Sequence, residues 1–239
     1  MTYKLNGSPG VIAVDDNGSL IGWMNPETGQ LIISKHEVIV QGQQRTRVSH
    51  ICFPFGKATG IYDGLAAHGL TRTGAGHIRK SIDFTEPDEK HVEMEYDRPF
   101  RHKIAICVES SSSGKTLYHK IEVTNLDSVR RPISLGFHPY FATNGQEFAI
   151  QYGDFSLNSD TLKVDQPLFI AKKPREKLLL KIGDQTITLE LIKGYTDFCI
   201  WTDLKDKYIC VEPVLGANDH SKTLESNEIM GCVCFIELE

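Results

Sequence analysis

Apolar and polar residues alternate with period two through much of this chain. Thr186-Ile187-Thr188-Leu189-Glu190-Leu191 and Lys120-Ile121-Glu122-Val123-Thr124 show it most clearly. Each places its apolar side chains on one face of an extended segment. Further strand-like runs are Val11–Val14, Ser19–Met24, Leu31–Ser34, Glu37–Gln41, His91–Tyr96, Lys103–Glu109, Leu117–Val123, Phe198–Thr202, Tyr208–Val211 and Val233–Glu237. Turn residues fall between them. Asp16-Asn17-Gly18 reads as a hairpin turn, and Ser110–Gly114 as a longer loop between Lys103–Glu109 and Leu117–Val123. Asn144-Gly145 and Gly183-Asp184 read in the same way, because these residues tolerate the backbone that tight hairpins need. Long helical periodicity and strand–helix alternation are missing. The pattern predicts an all-β chain, an antiparallel sandwich or barrel, as a single domain over 1–239.

Positions 48–80 break this rhythm. They are Gly-rich, hold several aromatic residues and alternate poorly. A long irregular segment inside a β protein is usually functional or disordered, and its apolar content argues for function.

Composition narrows the function. The chain has 239 residues, 40% apolar and 24% charged, enough for a core without disulfide staples. Its 26 basic and 31 acidic residues give a net charge of −5, so no basic field exists to hold nucleic acid. The longest apolar runs, Ile104–Val108 and Cys232–Ile236, are far shorter than the ~20 residues of a spanning helix, so no membrane partner is expected. Met1-Thr2-Tyr3-Lys4 leads into polar sequence without a hydrophobic signal core, and the expected location is the cytoplasm. The six cysteines include no Cys-x-x-Cys pair and read as reduced core thiols. Gly114-Lys115-Thr116 resembles the end of a phosphate loop, but Glu109 stands where that pattern needs glycine. Asn6-Gly7-Ser8 and Asn17-Gly18-Ser19 match glycosylation sequons and read as plain turns.

Three segments carry chemistry. The first is Ile51-Cys52-Phe53-Pro54-Phe55-Gly56, followed by His68-Gly69-Leu70-Thr71-Arg72. The second is Leu135-Gly136-Phe137-His138-Pro139-Tyr140-Phe141, and the third Tyr208-Ile209-Cys210-Val211-Glu212-Pro213. His138 and Glu212 each end an apolar run and precede a proline, which holds them extended. A histidine flanked by Phe137 and Tyr140 is also an ordinary core residue, and Glu212 also fits a solvent-facing strand end. Together they form a candidate acid–base pair, with Glu212 expected to favour the His138 imidazolium. His68 and Arg72, four apart, share a face if extended, so Arg72 reads either as a hydroxyl- or phosphate-binding fork or as a surface ion pair.

These segments resemble the aldose 1-epimerase (galactose mutarotase) family, including its glucose-6-phosphate 1-epimerase-like branch. Cys52-Phe-Pro-Phe-Gly56 is one residue shorter than that branch's Cys-Phe-Pro-x-Phe-Gly, and His68-Gly-Leu-Thr-Arg72 matches its His-Gly-Phe-Ala-Arg. His138-Pro-Tyr-Phe141 is intact, and Cys210-Val-Glu212-Pro213 completes the order over about residues 45 to 235. The resemblance implies an antiparallel β-supersandwich, a sugar or sugar phosphate as partner, and neither metal nor organic cofactor. It makes His138 the general acid and Glu212 the general base. It places His68 near the ring oxygen and Arg72 on the sugar or its phosphate. Asp197 is the first choice for the sugar-binding aspartate and Asp203 the reserve. The branch's Arg-Gly-Gly-Ile-Pro is replaced by Arg45-Thr-Arg47-Val-Ser-His50, so Arg45 and Arg47 compete for one role. Trp201, Phe53, Phe55, Tyr62 or Tyr140 offers a ring to the sugar, and Lys57 joins the arginines if the substrate is phosphorylated. The implied activity is anomer exchange. The rival readings are a non-catalytic sugar sensor and, last, a glycoside hydrolase, which would use two carboxylates.

Overall fold

The alternation of the sequence becomes two large antiparallel sheets packed face to face. The computed structural model describes residues 2–5, 12–40, 42–56, 65, 68–69, 71–72, 76–83, 88–216 and 222–239. Among the described residues no helix occurs, and so none is long and apolar enough to cross a membrane.

The ten-stranded sheet runs Thr2–Leu5, Ile12–Asp15, Leu20–Met24, Leu31–Ser34, Phe141–Ala142, Tyr208–Leu215, Leu135–His138, His50–Cys52. Asp197–Trp201 also pairs with Tyr208–Leu215 and carries Leu168–Ala171 beyond it. The nine-stranded sheet runs Phe155–Asn158, Phe148–Tyr152, Leu178–Ile182, Gln185–Lys193, Ile229–Leu238, Thr116–Asn125, His102–Ser110, Glu89–Tyr96, His77–Asp83. The fold is therefore all-β, an antiparallel supersandwich.

The core lies between the sheets. Ile106, Ile121, Leu189 and Ile236 from one sheet cluster with Trp23, Phe137, Phe198 and Val211 from the other, each at most 1% exposed. Each such side chain contributes ~1.5–3 kcal/mol by leaving water. Trp23 keeps its indole N–H satisfied by donating to the Gly114 carbonyl at 2.9 Å.

Alternation then decides what faces away from the core. Ile51, Leu135, Phe137, Phe198, Ile200, Ile209 and Val211 point into it. Their neighbours His50, Cys52, Gly136, His138, Cys199, Trp201, Cys210 and Glu212 share the opposite face of the ten-stranded sheet. That face carries the site.

The hairpins expected at Asp16–Gly18, Ser110–Gly114 and Gly183-Asp184 are present, whereas the turn at Asn144-Gly145 instead carries the chain from Phe141–Ala142 in the ten-stranded sheet to Phe148–Tyr152 in the nine-stranded one. Gly18, Asn144, Gly145 and Gly183 all take positive φ at their turns. Some strands escaped the expected runs, among them Phe148–Tyr152 and Leu178–Ile182 despite their buried–exposed alternation, and two others that lack a regular apolar face. Gln43–Arg47 is a wholly polar hairpin arm paired with His36–Val40, and His77–Asp83 is an edge strand, where polar residues are the norm. Asn6-Gly7-Ser8, Lys57 and Tyr62 lie outside the described residues. Glu212 does not end its strand. Tyr208–Leu215 continues through Pro213, which still pairs with Phe198.

Candidate active site

The central pair is placed by register. Leu135 faces Leu215 and Gly136 faces Val214; further on, Phe141 faces Ile209 and Ala142 faces Tyr208. The register is the same on both sides of the break where Pro139 and Pro213 lack donors. His138 therefore falls opposite Glu212, and side chains so placed touch. His138 Nε2 lies 3.5 Å from Glu212 Oε1. The row continues in both directions. His50 is opposite His138 on one side, and Cys199 is opposite Glu212 on the other.

Both members of the pair are buried, His138 at 3% exposure and Glu212 at 2%. Burial pushes the Glu212 carboxyl well above the usual carboxylate range. Burial, then His50, His68, Arg72 and Arg47, hold the His138 imidazole well below its ordinary value. Burial thus opposes the expected His138 imidazolium and favours the uncharged form of each group. His138 Nδ1 and Glu212 Oε2 have no hydrogen-bond partner among the described residues.

Above the pair opens a cavity of about 560 Å³ bordered by His68, Arg72, Arg45, Arg47, Trp201 and Asp203 as well as His138 and Glu212. His138 stacks on Tyr140, ring centres 4.7 Å apart and 8° from parallel, and meets Trp201 edge to face at 5.7 Å. Arg47 is buried, bonded to the Asp203 carboxylate, and its guanidinium lies 5.7 Å from the Trp201 ring centre. Asp203 also accepts from the Tyr208 hydroxyl. The Trp201 indole N–H is 3.4 Å from the Asp165 carboxylate.

His68 and Arg72 border the cavity without being extended. His68 sits at φ +67°, its N–H donating to Gly56 O at 3.0 Å and its carbonyl accepting from Phe53 N at 3.2 Å. Gly69 makes this docking possible. Its φ is +69°, and a Cβ there would stand 1.8 Å from the Phe53 carbonyl oxygen. Gly69→Ala is expected to destabilise the protein by at least ~1–2 kcal/mol and to displace His68 from the cavity wall; urea titration would show the loss.

Asp197 does not join this group. It stands opposite Val214, its carboxylate takes a 2.6 Å hydrogen bond from the Thr196 hydroxyl, and it does not border the cavity. Asp203, one turn beyond the strand, borders it instead. Both arginine candidates reach the cavity, Arg47 from a buried position and Arg45 from an exposed one. Phe53 points into the core, whereas Phe55 and Tyr140 border the cavity. Residues the sequence did not single out are His50, Asp165, Phe169 and Cys199. His50 had one visible signal, its two-residue spacing from Cys52, but its neighbours come from remote strands.

No protein-family model matches the sequence, and no curated protein matches it. Solved structures do. A galactose mutarotase-like protein from Lactobacillus casei is 17% identical, with a TM-score of 0.76 over 100% of this chain and 99% of that one. A galactose mutarotase related enzyme from Lactobacillus acidophilus is 13% identical, with a TM-score of 0.77 over 100% and 97%. A galactose mutarotase-like protein from Clostridium acetobutylicum is 16% identical, with a TM-score of 0.64 over 95% and 92%. At these identities the likeness is one of fold: the chain has the galactose mutarotase-like β-sandwich.

Proposed function

We propose that this protein is an aldose 1-epimerase, exchanging the α and β anomers of a hexose by general acid–base ring opening and closure. One observation carries the reading: an imidazole and a carboxyl, 74 positions apart in sequence (138 and 212), lie 3.5 Å apart at the floor of a sugar-sized cavity.

Anomer exchange needs a proton delivered to the ring oxygen while another leaves the C1 hydroxyl. Both oxygens sit on one carbon, so donor and acceptor must be neighbours within hydrogen-bond reach. His138 gives the proton and Glu212 takes one. The proton that burial leaves on Glu212 first crosses the short gap to His138, making a buried ion pair. Ring opening then discharges that pair, because His138 becomes neutral as Glu212 is protonated. The open aldehyde therefore coincides with the charge state that burial favours. Rotation about C1–C2 presents the other carbonyl face, and closure runs the transfers backwards.

His68 holds the ring oxygen. Asp203 and Arg47 bind hydroxyls in place of Asp197, and Trp201 covers the apolar face of the sugar. Among the described residues no carboxylate pairs with Arg45 or Arg72 as Asp203 does with Arg47, which favours a sugar bearing an anionic group such as a 6-phosphate. NMR exchange rates on α-glucose, α-galactose and glucose 6-phosphate test the reading. The expected result is acceleration, greatest for the phosphorylated sugar. Selective binding of one anomer without acceleration would instead make the protein a sensor.

A further inference from the structure

We propose that His50, Cys52 and His68 bind a divalent transition-metal ion of the zinc type at the inner end of the cavity, and that the bound ion blocks anomer exchange. The second half rests on the function proposed above; the first does not.

His50 and Cys52 share one face of the strand His50–Cys52, and both are buried, at 2% and 0% exposure. The backbone ties at Phe53 and Gly56 press His68 against them. One ligand atom from each of the three residues lies within 4.8 Å of the others. Tetrahedral zinc with nitrogen and sulfur ligands at 2.0–2.3 Å needs separations of roughly 3.3–3.8 Å, so a contraction of about an ångström completes the geometry.

The imidazoles are set for this use. His50 Nδ1 lies 2.7 Å from the Val48 carbonyl. A carbonyl only accepts, so Nδ1 carries the hydrogen and Nε2 the lone pair. That Nε2 is buried and has no partner among the described residues, and the same holds for His68 Nδ1. Buried nitrogens without partners are rare. A histidine oriented by a carbonyl through one nitrogen, with the other bare, is the usual state of a metal ligand. The Cys52 thiol gives its proton to solvent as it coordinates. Two nitrogens and a sulfur suit zinc and cobalt rather than magnesium or calcium, which take oxygen.

The fourth position explains the block. His68 borders the cavity, which is the route of entry. The His138 ring is 4.8 Å from that of His50 and 5.3 Å from that of His68, and its Nδ1 is also unpartnered. An ion drawing on His138 removes it from proton transfer. Arg47 and Arg72 stand nearby and make the site weaker than a closed structural zinc centre.

A second cluster, Glu89, His91 and Cys107 on the nine-stranded sheet, supplies the control. Its members already bond one another, Cys107 Sγ to Glu89 at 3.0 Å and His91 to Glu89 at 2.7 Å. Metal-stripped protein titrated with Co²⁺ is expected to take one equivalent and to develop a near-ultraviolet thiolate charge-transfer band. Cys52→Ala is expected to abolish the band, His50→Ala to weaken binding at least about tenfold, and Cys107→Ala to change neither. If Cys52→Ala does not fold, His68→Ala carries the same affinity comparison. A band absent from the wild type, kept in Cys52→Ala, or lost in Cys107→Ala overturns the site. One equivalent of Zn²⁺ is expected to stop exchange until EDTA is added; bound zinc with unchanged exchange overturns the block. If no sugar is turned over, the cobalt spectrum still decides the metal site.

Discussion

Glu212→Gln is expected to slow anomer exchange by ~10²–10⁴-fold, the share that one positioned acid–base group contributes. Glutamine keeps the size and hydrogen-bonding reach of the side chain but cannot carry the proton. KM should therefore move by no more than a few-fold while kcat collapses. His138→Gln should fall as far. The two together should cost little more than either alone, because the groups handle one shared proton and act as a unit. The pH profile follows from the directions of the shifts. His138 must be neutral at rest and titrates below its ordinary 6.5, so the acidic limb lies below that value. Glu212 must hold its proton and titrates above 4.5, so the alkaline limb lies above it. Equal relaxation rates for wild type and Glu212→Gln in polarimetry, or an acidic limb at or above pH 6.5, would sink the pair as the catalytic centre.

Mild acid is expected to unfold the metal-free protein. Burial lowers His50 and His119 to about 3 and, again first among the causes, lowers His68 and His102 to about 4. An unfolded chain takes up these protons near 6.5. Between those values the unfolded state binds more protons than the folded one, so stability rises with pH and is lost as pH falls from about 6.5 towards 4. Each histidine contributes a slope of ~1.4 kcal/mol per pH unit, and four acting together give ~5 kcal/mol per unit near pH 5. Against a total stability of ~5–15 kcal/mol, that places the acid midpoint near pH 5. Glu212 works the other way, since its raised value stabilises the folded state as pH falls, and His138, lowered by burial, opposes it. Urea unfolding in EDTA at pH 7, 6 and 5, followed by tryptophan fluorescence, measures the slope. His119→Phe should remove about a quarter of it. His119 stacks on Phe137 with ring centres 3.8 Å apart, and neither of its nitrogens has a partner among the described residues. Stability level from pH 7 to 5 would show that these imidazoles are hydrated.

The effect of burial on the pair shows where local reasoning stopped. From sequence, a carboxylate beside a histidine favours the imidazolium. That holds where water screens both groups, and weakens where Tyr140, Trp201 and Cys199 pack around the pair and bury it. The depth of a side chain depends on what other strands lay over it, which no neighbouring residue encodes. Asp197 failed for a related reason. Its place in the strand is right for the site-bearing face, but Thr196 beside it takes up the carboxylate, and Asp203 stands closer to Arg47.

The sequence by itself determined the class of the fold and the faces of its strands. Period-two alternation and turn residues are local, so Leu135-Gly136-Phe137-His138 and Tyr208-Ile209-Cys210-Val211-Glu212 already divided core from site. It also supplied the residue types that make His138 and Glu212 a plausible pair. Only the tertiary structure decided that these two segments lie side by side in one unbroken register, that His50 becomes the next member of the same row, and that Arg47 meets Asp203. Strand order and register between distant segments arise from packing the whole apolar surface at once, and that global choice leaves no mark on any short stretch of the chain.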